Sequence, residues 1–170
     1  MKASLLGLAL SASLAFGASA ADVTISDLHI CCKSCVTGAE KAVSSVSGAK
    51  AVVSQDDETV KISAPDKATL QKATDALVNA GYFGKSSDPD IKINADTGAK
   101  DTKVTKATVS GVHLCCDKCA KAVDKAVKDV PGVTGDTAKK NDKSFEVTGD
   151  FNQKALMDAL QKAGLTGKVM

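Results

Sequence analysis

The chain has no tryptophan, one tyrosine and no arginine. Aromatics make up only 3% of it, so it offers no platform on which bases could stack. Twenty-two lysines face 20 acidic residues, a net charge of +2, which gives no basic stripe to follow a phosphate backbone. This composition speaks against nucleic acid as a partner. Histidine is also scarce: there are two, and both stand beside cysteines. That leaves no free imidazole for general acid–base or nucleophilic hydrolysis, and no glycine-rich phosphate loop occurs. The chain therefore reads as a binding protein and not as an enzyme.

No apolar run is long enough to span a bilayer. The stretch from Leu5 to Phe16 follows the positive Lys2 and precedes Ala18-Ser19-Ala20, a small-x-small pattern. We read residues 1–20 as a signal peptide cleaved after Ala20. The mature protein is then expected to be periplasmic or secreted, with no membrane insertion after cleavage. Thiols in such compartments tend to oxidise, which makes the cysteines the next question.

All six cysteines and both histidines fall into two windows, His29-Ile30-Cys31-Cys32-Lys33-Ser34-Cys35 and His113-Leu114-Cys115-Cys116-Asp117-Lys118-Cys119. The spacing His-x-Cys-Cys-x-x-Cys is the same in both, at an offset of 84 residues. Similarity continues on either side: Leu28 to Ile30 falls on Val112 to Leu114, and Glu40-Lys41-Ala42-Val43 on Asp124-Lys125-Ala126-Val127. Further on, Asp75-Ala76-Leu77 with Ala80-Gly81 meets Asp158-Ala159-Leu160 with Ala163-Gly164. This is a tandem duplication, with repeats over residues 21–87 and 103–170 and a polar linker over 88–102.

Within the first repeat, residues 22 to 30 alternate as a strand with a slip near Asp27. Val36, Ala39, Val43 and Val46 recur at helical spacing up to Gly48. Residues 51–53 and 59–62 flank a polar turn, as in a hairpin. Pro65-Asp66 opens a second helix with Leu70, Ala73, Leu77 and Ala80 on its buried stripe, and a short strand follows near Tyr82 to Lys85. The second repeat follows suit, with a strand over 104–114, helices over 118–130 and 152–163, and a hairpin through Asn141-Asp142. The order strand, helix, strand, strand, helix, strand predicts an α+β chain of two tandem ferredoxin-like βαββαβ domains.

A CxxC across a helix start sets two sulfurs beside unpaired backbone N–H groups and the positive end of the helix dipole, which stabilises thiolates. That arrangement serves two chemistries, capture of a soft cation and thiol–disulfide exchange. Three cysteines per repeat fit an even disulfide framework poorly. A third reading, a module whose cysteines only cross-link it, stays open beside the other two.

Two compact repeats, each with CxxC between its first strand and first helix, followed by Gly48 and by Ala80-Gly81-Tyr82, resemble heavy-metal-associated domains such as those of copper chaperones and the periplasmic mercury-binding protein. The resemblance implies an exported protein that sequesters or carries a soft metal ion, Cu(I) first and Hg(II) or Zn(II)/Cd(II) as alternatives. It implies one site per repeat, at Cys32 with Cys35 and at Cys116 with Cys119. It also implies exchange with a metal-transporting membrane protein or another metal-accepting protein.

The family's usual Gly-Met-Thr-Cys is replaced by His29-Ile30-Cys31-Cys32 and His113-Leu114-Cys115-Cys116. With Ile30 in the core, alternation turns His29 and Cys31 the other way, beside the site. Cys31, Cys115, His29 and His113 are therefore candidate extra ligands for a trigonal Cu(I) or tetrahedral Cys3His site. Tyr82, matched by Leu165 in the second repeat, carries little weight in this reading. The thioredoxin-type alternative would want a cis-proline facing the CxxC, and Pro65, Pro89 and Pro131 lie in turn or linker contexts.

Overall fold

A computed structural model describes residues 20–170. The signal-peptide reading rests on residues 1–19, which lie outside the described residues. Among the described residues no helix is long and apolar enough to cross a membrane.

The first repeat runs β1 (Ala21–Ser26), α1 (Lys33–Ser44), β2 (Lys50–Ser54), β3 (Thr59–Ala64), α2 (Lys67–Asn79) and β4 (Lys85–Ser86). The second repeats the order as β5 (Lys103–Ser110), α3 (Asp117–Lys128), β6 (Val133–Asp136), β7 (Ser144–Asn152), α4 (Gln153–Lys162) and β8 (Lys168–Val169). Each repeat forms one four-stranded sheet, in the orders β2-β3-β1-β4 and β6-β7-β5-β8. Every pairing is antiparallel, and the strand order is that of the ferredoxin-like split βαβ.

Periodicity explains which faces close. Helix α1 buries Cys35, Ala39 and Val43, and α2 buries Leu70, Ala73, Leu77 and Val78 against Val23, Ile25, Val60 and Ile62 of the sheet. The Asp66 carboxylate caps α2 by accepting from the Thr69 N–H at 2.7 Å, and the Asn152 side-chain oxygen caps α4 from the Ala155 N–H at 3.1 Å.

Strands β1 and β5 stop earlier than alternation predicts. Pairing ends at Ser26 and Ser110 because the next residues, Asp27 (φ 61°) and Gly111 (φ 76°), take left-handed conformations that turn the chain out of the sheet. Tyr82 does not belong to β4 either; it forms an isolated antiparallel bridge with Leu165 of the other repeat.

The connecting segment is not a free tether. Ile91 is buried, and Gln71 reads the backbone of Lys92 in both directions, donating from Nε2 to its carbonyl at 2.8 Å and accepting from its N–H at 2.9 Å. Further along, Val169 N–H donates to Thr97 O at 2.8 Å and Lys100 N–H to the Gln153 side chain at 3.1 Å. The segment read from sequence as a polar linker is tied down along its length: one buried isoleucine and a few hydrogen bonds hold it first to α2 and then to β8 and α4.

Contact between the repeats centres on Gly81 and Gly164, each with positive φ just past a helix end. Phe83 N–H donates to Gly164 O at 3.1 Å, Thr166 N–H to Gly81 O at 3.0 Å, and His29 N–H to Gly164 O at 3.2 Å. A Cβ on Gly81 would strike the backbone of Gly111 to His113, and one on Gly164 the backbone of Asp27 to His29. Glycine is thus required twice over, for the helix stop and for the close approach of the two chains.

Candidate metal centre

Each cysteine window is aimed by its neighbours. Leu28 and Ile30 are buried in their own repeat, so the intervening His29 and the following Cys31 face the other one. Val112 and Leu114 do the same for His113 and Cys115. The hairpin loops hold these stretches in place, with Leu28 N–H donating to Glu58 O at 3.2 Å and Asn141 N–H to Leu114 O at 2.5 Å. Cys32 and Cys116 then sit at the N-caps of α1 and α3, without a side-chain cap bond, and Cys35 and Cys119 are fully buried in the first turns.

The two windows meet. All six cysteines are free thiols, and nine sulfur pairs lie 3.4–3.8 Å apart. Five of these pairs cross between repeats: Cys31–Cys116, Cys31–Cys119, Cys32–Cys115, Cys35–Cys115 and Cys35–Cys119. The two windows, each expected to form a site of its own, thus face each other, and their six sulfurs form one contact cluster. Its cause is the glycine contact, which brings both helix starts to one interface.

Packing thiols this tightly spreads their acidities. The hydrogen bond from the Cys119 thiol, the largest influence, drives Cys35 towards the thiolate against the cost of burial, with His113 and Cys115 assisting. The same bond, followed by burial, holds Cys119 in its protonated form. Burial pushes Cys31 up to about 12, and Cys115 is pushed up by burial and by its bonds to Cys35 and Cys32. For Cys116 burial also opposes ionisation, but hydrogen bonds from the backbone and side chain of Cys119 and from Cys31 outweigh it and bring the thiol down to about 7. The metal-free cluster is therefore a partly protonated, proton-sharing set, and taking up a cation releases protons.

The histidines differ. His29 shares a potential ligand group with Cys31 and Cys119, the three donor atoms lying within 4.8 Å of one another, and its Nε2 is buried without a hydrogen-bond partner. Burial lowers its pKa and favours the neutral, ligating imidazole. His113 is engaged elsewhere. Its Nε2 lies 3.0 Å from the Tyr82 hydroxyl, and the two rings stack with centroids 4.6 Å apart. That hydroxyl donates its one proton to Cys35 O at 2.8 Å, so the His113 Nε2–H donates to the phenol oxygen.

Tyr82, given little weight from sequence, is a central strut of the site. The duplication hid it, because its counterpart is Leu165. The available signal was that the chain's only tyrosine directly follows the helix-ending Gly81.

No protein-family model matches the chain, and no curated protein matches it. Solved structures offer likenesses. One described as "Crosstalk between Cu(I) and Zn(II) homeostasis" is 24% identical, covers 39% of this chain and all of its own, and has a TM-score of 0.34. The N-terminal soluble domains of Bacillus subtilis CopA are 15% identical over 90% of this chain and 95% of theirs, with a TM-score of 0.34. The first two RRM domains of the yeast poly(U)-binding protein Pub1 are 12% identical over 88% of this chain and 98% of theirs, with a TM-score of 0.26. At these scores the fold assignment rests on the strand order of each repeat.

Proposed function

We propose that this chain is an exported soft-metal-binding protein that sequesters or carries Cu(I), with Hg(II) and Zn(II) as competing cargoes, and that it performs no catalysis. The observation carrying this reading is the convergence of six free thiols from two repeats on one interface. A cluster that serves only as packing does not need thiols in preference to valine or alanine. Six deprotonable sulfurs in contact constitute a ligand set for a soft cation.

Access follows the exposure of the thiols. Cys31, Cys32, Cys115 and Cys116 are half-buried, whereas Cys35 and Cys119 are fully enclosed. An incoming ion meets the four outer thiols first and passes inward by thiolate exchange. The same outer thiols can hand it to an accepting protein, including a metal-transporting membrane protein.

The test is competition against a chelator on anaerobically reduced mature protein, with thermal unfolding in parallel. Binding to the native state alone stabilises by about 4 kcal/mol at a free ion concentration 1,000 times Kd, so the melting temperature should rise steeply with tight Cu(I) binding. The double variant Cys35→Ser with Cys119→Ser should lose that rise. Failure of all three ions to bind, or thiol-dependent turnover of a disulfide substrate with no metal retained, would overturn the reading.

A further inference from the structure

The nine sulfur contacts close into triangles. Cys31, Cys35 and Cys119 are joined by distances of 3.7, 3.8 and 3.6 Å, and Cys35, Cys115 and Cys119 by 3.4, 3.7 and 3.8 Å. Cys31, Cys116 and Cys119 form a third triangle at 3.6, 3.7 and 3.6 Å, and Cys32, Cys35 and Cys115 a fourth at 3.6, 3.4 and 3.5 Å. Exchanging the repeats, 31 for 115, 32 for 116 and 35 for 119, maps the set onto itself. Neighbouring triangles share the edges Cys31–Cys119, Cys35–Cys119 and Cys35–Cys115.

Spacing decides what fits. With metal–sulfur bonds of about 2.3 Å, two thiolates in line with an ion stand about 4.6 Å apart, whereas three around an ion stand about 4 Å apart. The observed contacts need to open by only a few tenths of an ångström for three-coordination, but by about 1 Å for a linear pair. Charge is compatible with filling: with all six sulfurs ionised, monovalent ions in all four triangles leave a net charge of only −2, and with fewer ions the unligated sulfurs keep their protons.

We propose that the two repeats together hold one four-copper thiolate cluster, with Cys35 and Cys119 as its central bridging ligands and Cys31 and Cys115 bridging beside them, in place of one ion per CxxC pair. The proposal rests on the soft-metal reading and specifies its stoichiometry and architecture. Cys35 and Cys119 each belong to three triangles and are fully buried; Cys31 and Cys115 belong to two; Cys32 and Cys116 belong to one and are terminal. Each Cu(I) arrives on a donor's thiolate and stays Cu(I). Each protein S–H that becomes a ligand gives its proton to water, no electron moves, and the filled cluster carries a net charge of −2.

The experiment loads reduced, oxygen-free mature protein with Cu(I), counts copper by native mass spectrometry and examines it by X-ray absorption. The expected result is four ions per chain, sulfur in three-coordination, and a short copper–copper vector. Substitutions should act by position. Cys116→Ser removes a vertex of one triangle and should lower the count from four to three. Cys119→Ser removes a vertex of three and should lower it from four to one, the survivor sitting at Cys32, Cys35 and Cys115. Two ions without a copper–copper vector, or equal losses in both variants, overturn the cluster while leaving a soft-metal protein. The wild-type vector remains decisive even if Cys119→Ser does not fold. Absence of tight binding by Cu(I), Hg(II) and Zn(II) alike overturns the soft-metal reading itself.

Discussion

The hydroxyl of Tyr82, in the first repeat, lies 3.0 Å from Nε2 of His113, in the second, and donates at 2.8 Å to the carbonyl of Cys35. One side chain thus joins the start of α1 to the cysteine window of the opposite repeat. Replacing Tyr82 with Phe keeps the ring and its stacking but leaves the His113 N–H unpaired and removes the second hydrogen bond to the Cys35 carbonyl, which keeps its acceptor role within α1. That change should cost about 1–3 kcal/mol. Urea denaturation should show the midpoint fall with an unchanged slope, since the surface exposed on unfolding is the same. A variant as stable as the parent would mean that the phenol is not the strut described.

Repetition of the histidines in sequence is not matched by equivalence in the structure. His113 is held by Tyr82, whereas Leu165, the residue equivalent to Tyr82 in the second repeat, has no hydroxyl to offer and His29 Nε2 has no hydrogen-bond partner. His29→Ala should therefore weaken metal retention against a chelator while leaving metal-free stability nearly unchanged. His113→Ala should do the reverse, lowering metal-free stability by roughly 1 kcal/mol through the lost hydrogen bond and ring stacking with Tyr82, whose hydroxyl still donates to Cys35 O. Equal effects of the two substitutions on metal retention would refute the asymmetry.

Asp66 supplies a pH dependence that is independent of the cysteines. The backbone N–H of Thr69, then its hydroxyl, hold the Asp66 carboxyl below its ordinary value of 3.8. A depressed folded-state pKa contributes stability that is complete above the unfolded value and is lost as the pH falls through the lower, folded value. Asp66→Asn keeps an acceptor at the cap and removes the titration. The stability advantage of the parent over this variant should be constant near neutrality and shrink on acidification below about pH 4. Urea midpoints measured across that range would show it, and parallel curves would exclude the cap as the source.

Much of the fold was legible because each signal came twice. Helical spacing in Ala39 and Val43 had its echo in Val123 and Val127, so one repeat corroborated the other. The same duplication obscured the site. It promised two equal centres, and it discounted Tyr82 because Leu165 lacks the hydroxyl. Residues 88–102 are polar and carry proline and glycine, a composition that reads as a linker. Docking through Ile91 and Gln71 depends on tertiary contacts that no local pattern records. Gly81 and Gly164 were recognisable as helix ends, but their second role, letting two backbones touch, emerges only when the repeats face each other.

That second role separates folding of a repeat from assembly of the site. Alanine at Gly164 would have to adopt a left-handed φ of 77° and would push its Cβ into the backbone of Asp27 to His29. Gly81, at φ 92°, meets Gly111 to His113 in the same way. The conformational part alone should cost about 1 kcal/mol or more at each position. The collision acts on the distance between the repeats, and so on the five sulfur contacts that cross between them. Gly164→Ala should accordingly retain the circular dichroism of two folded repeats while reducing bound Cu(I) at saturation. The double variant with Gly81→Ala should reduce it further, towards separate binding at the Cys32/Cys35 and Cys116/Cys119 pairs. If both variants load copper as the parent does, with the same X-ray absorption spectrum, the metal centre does not depend on the glycine contact between the repeats.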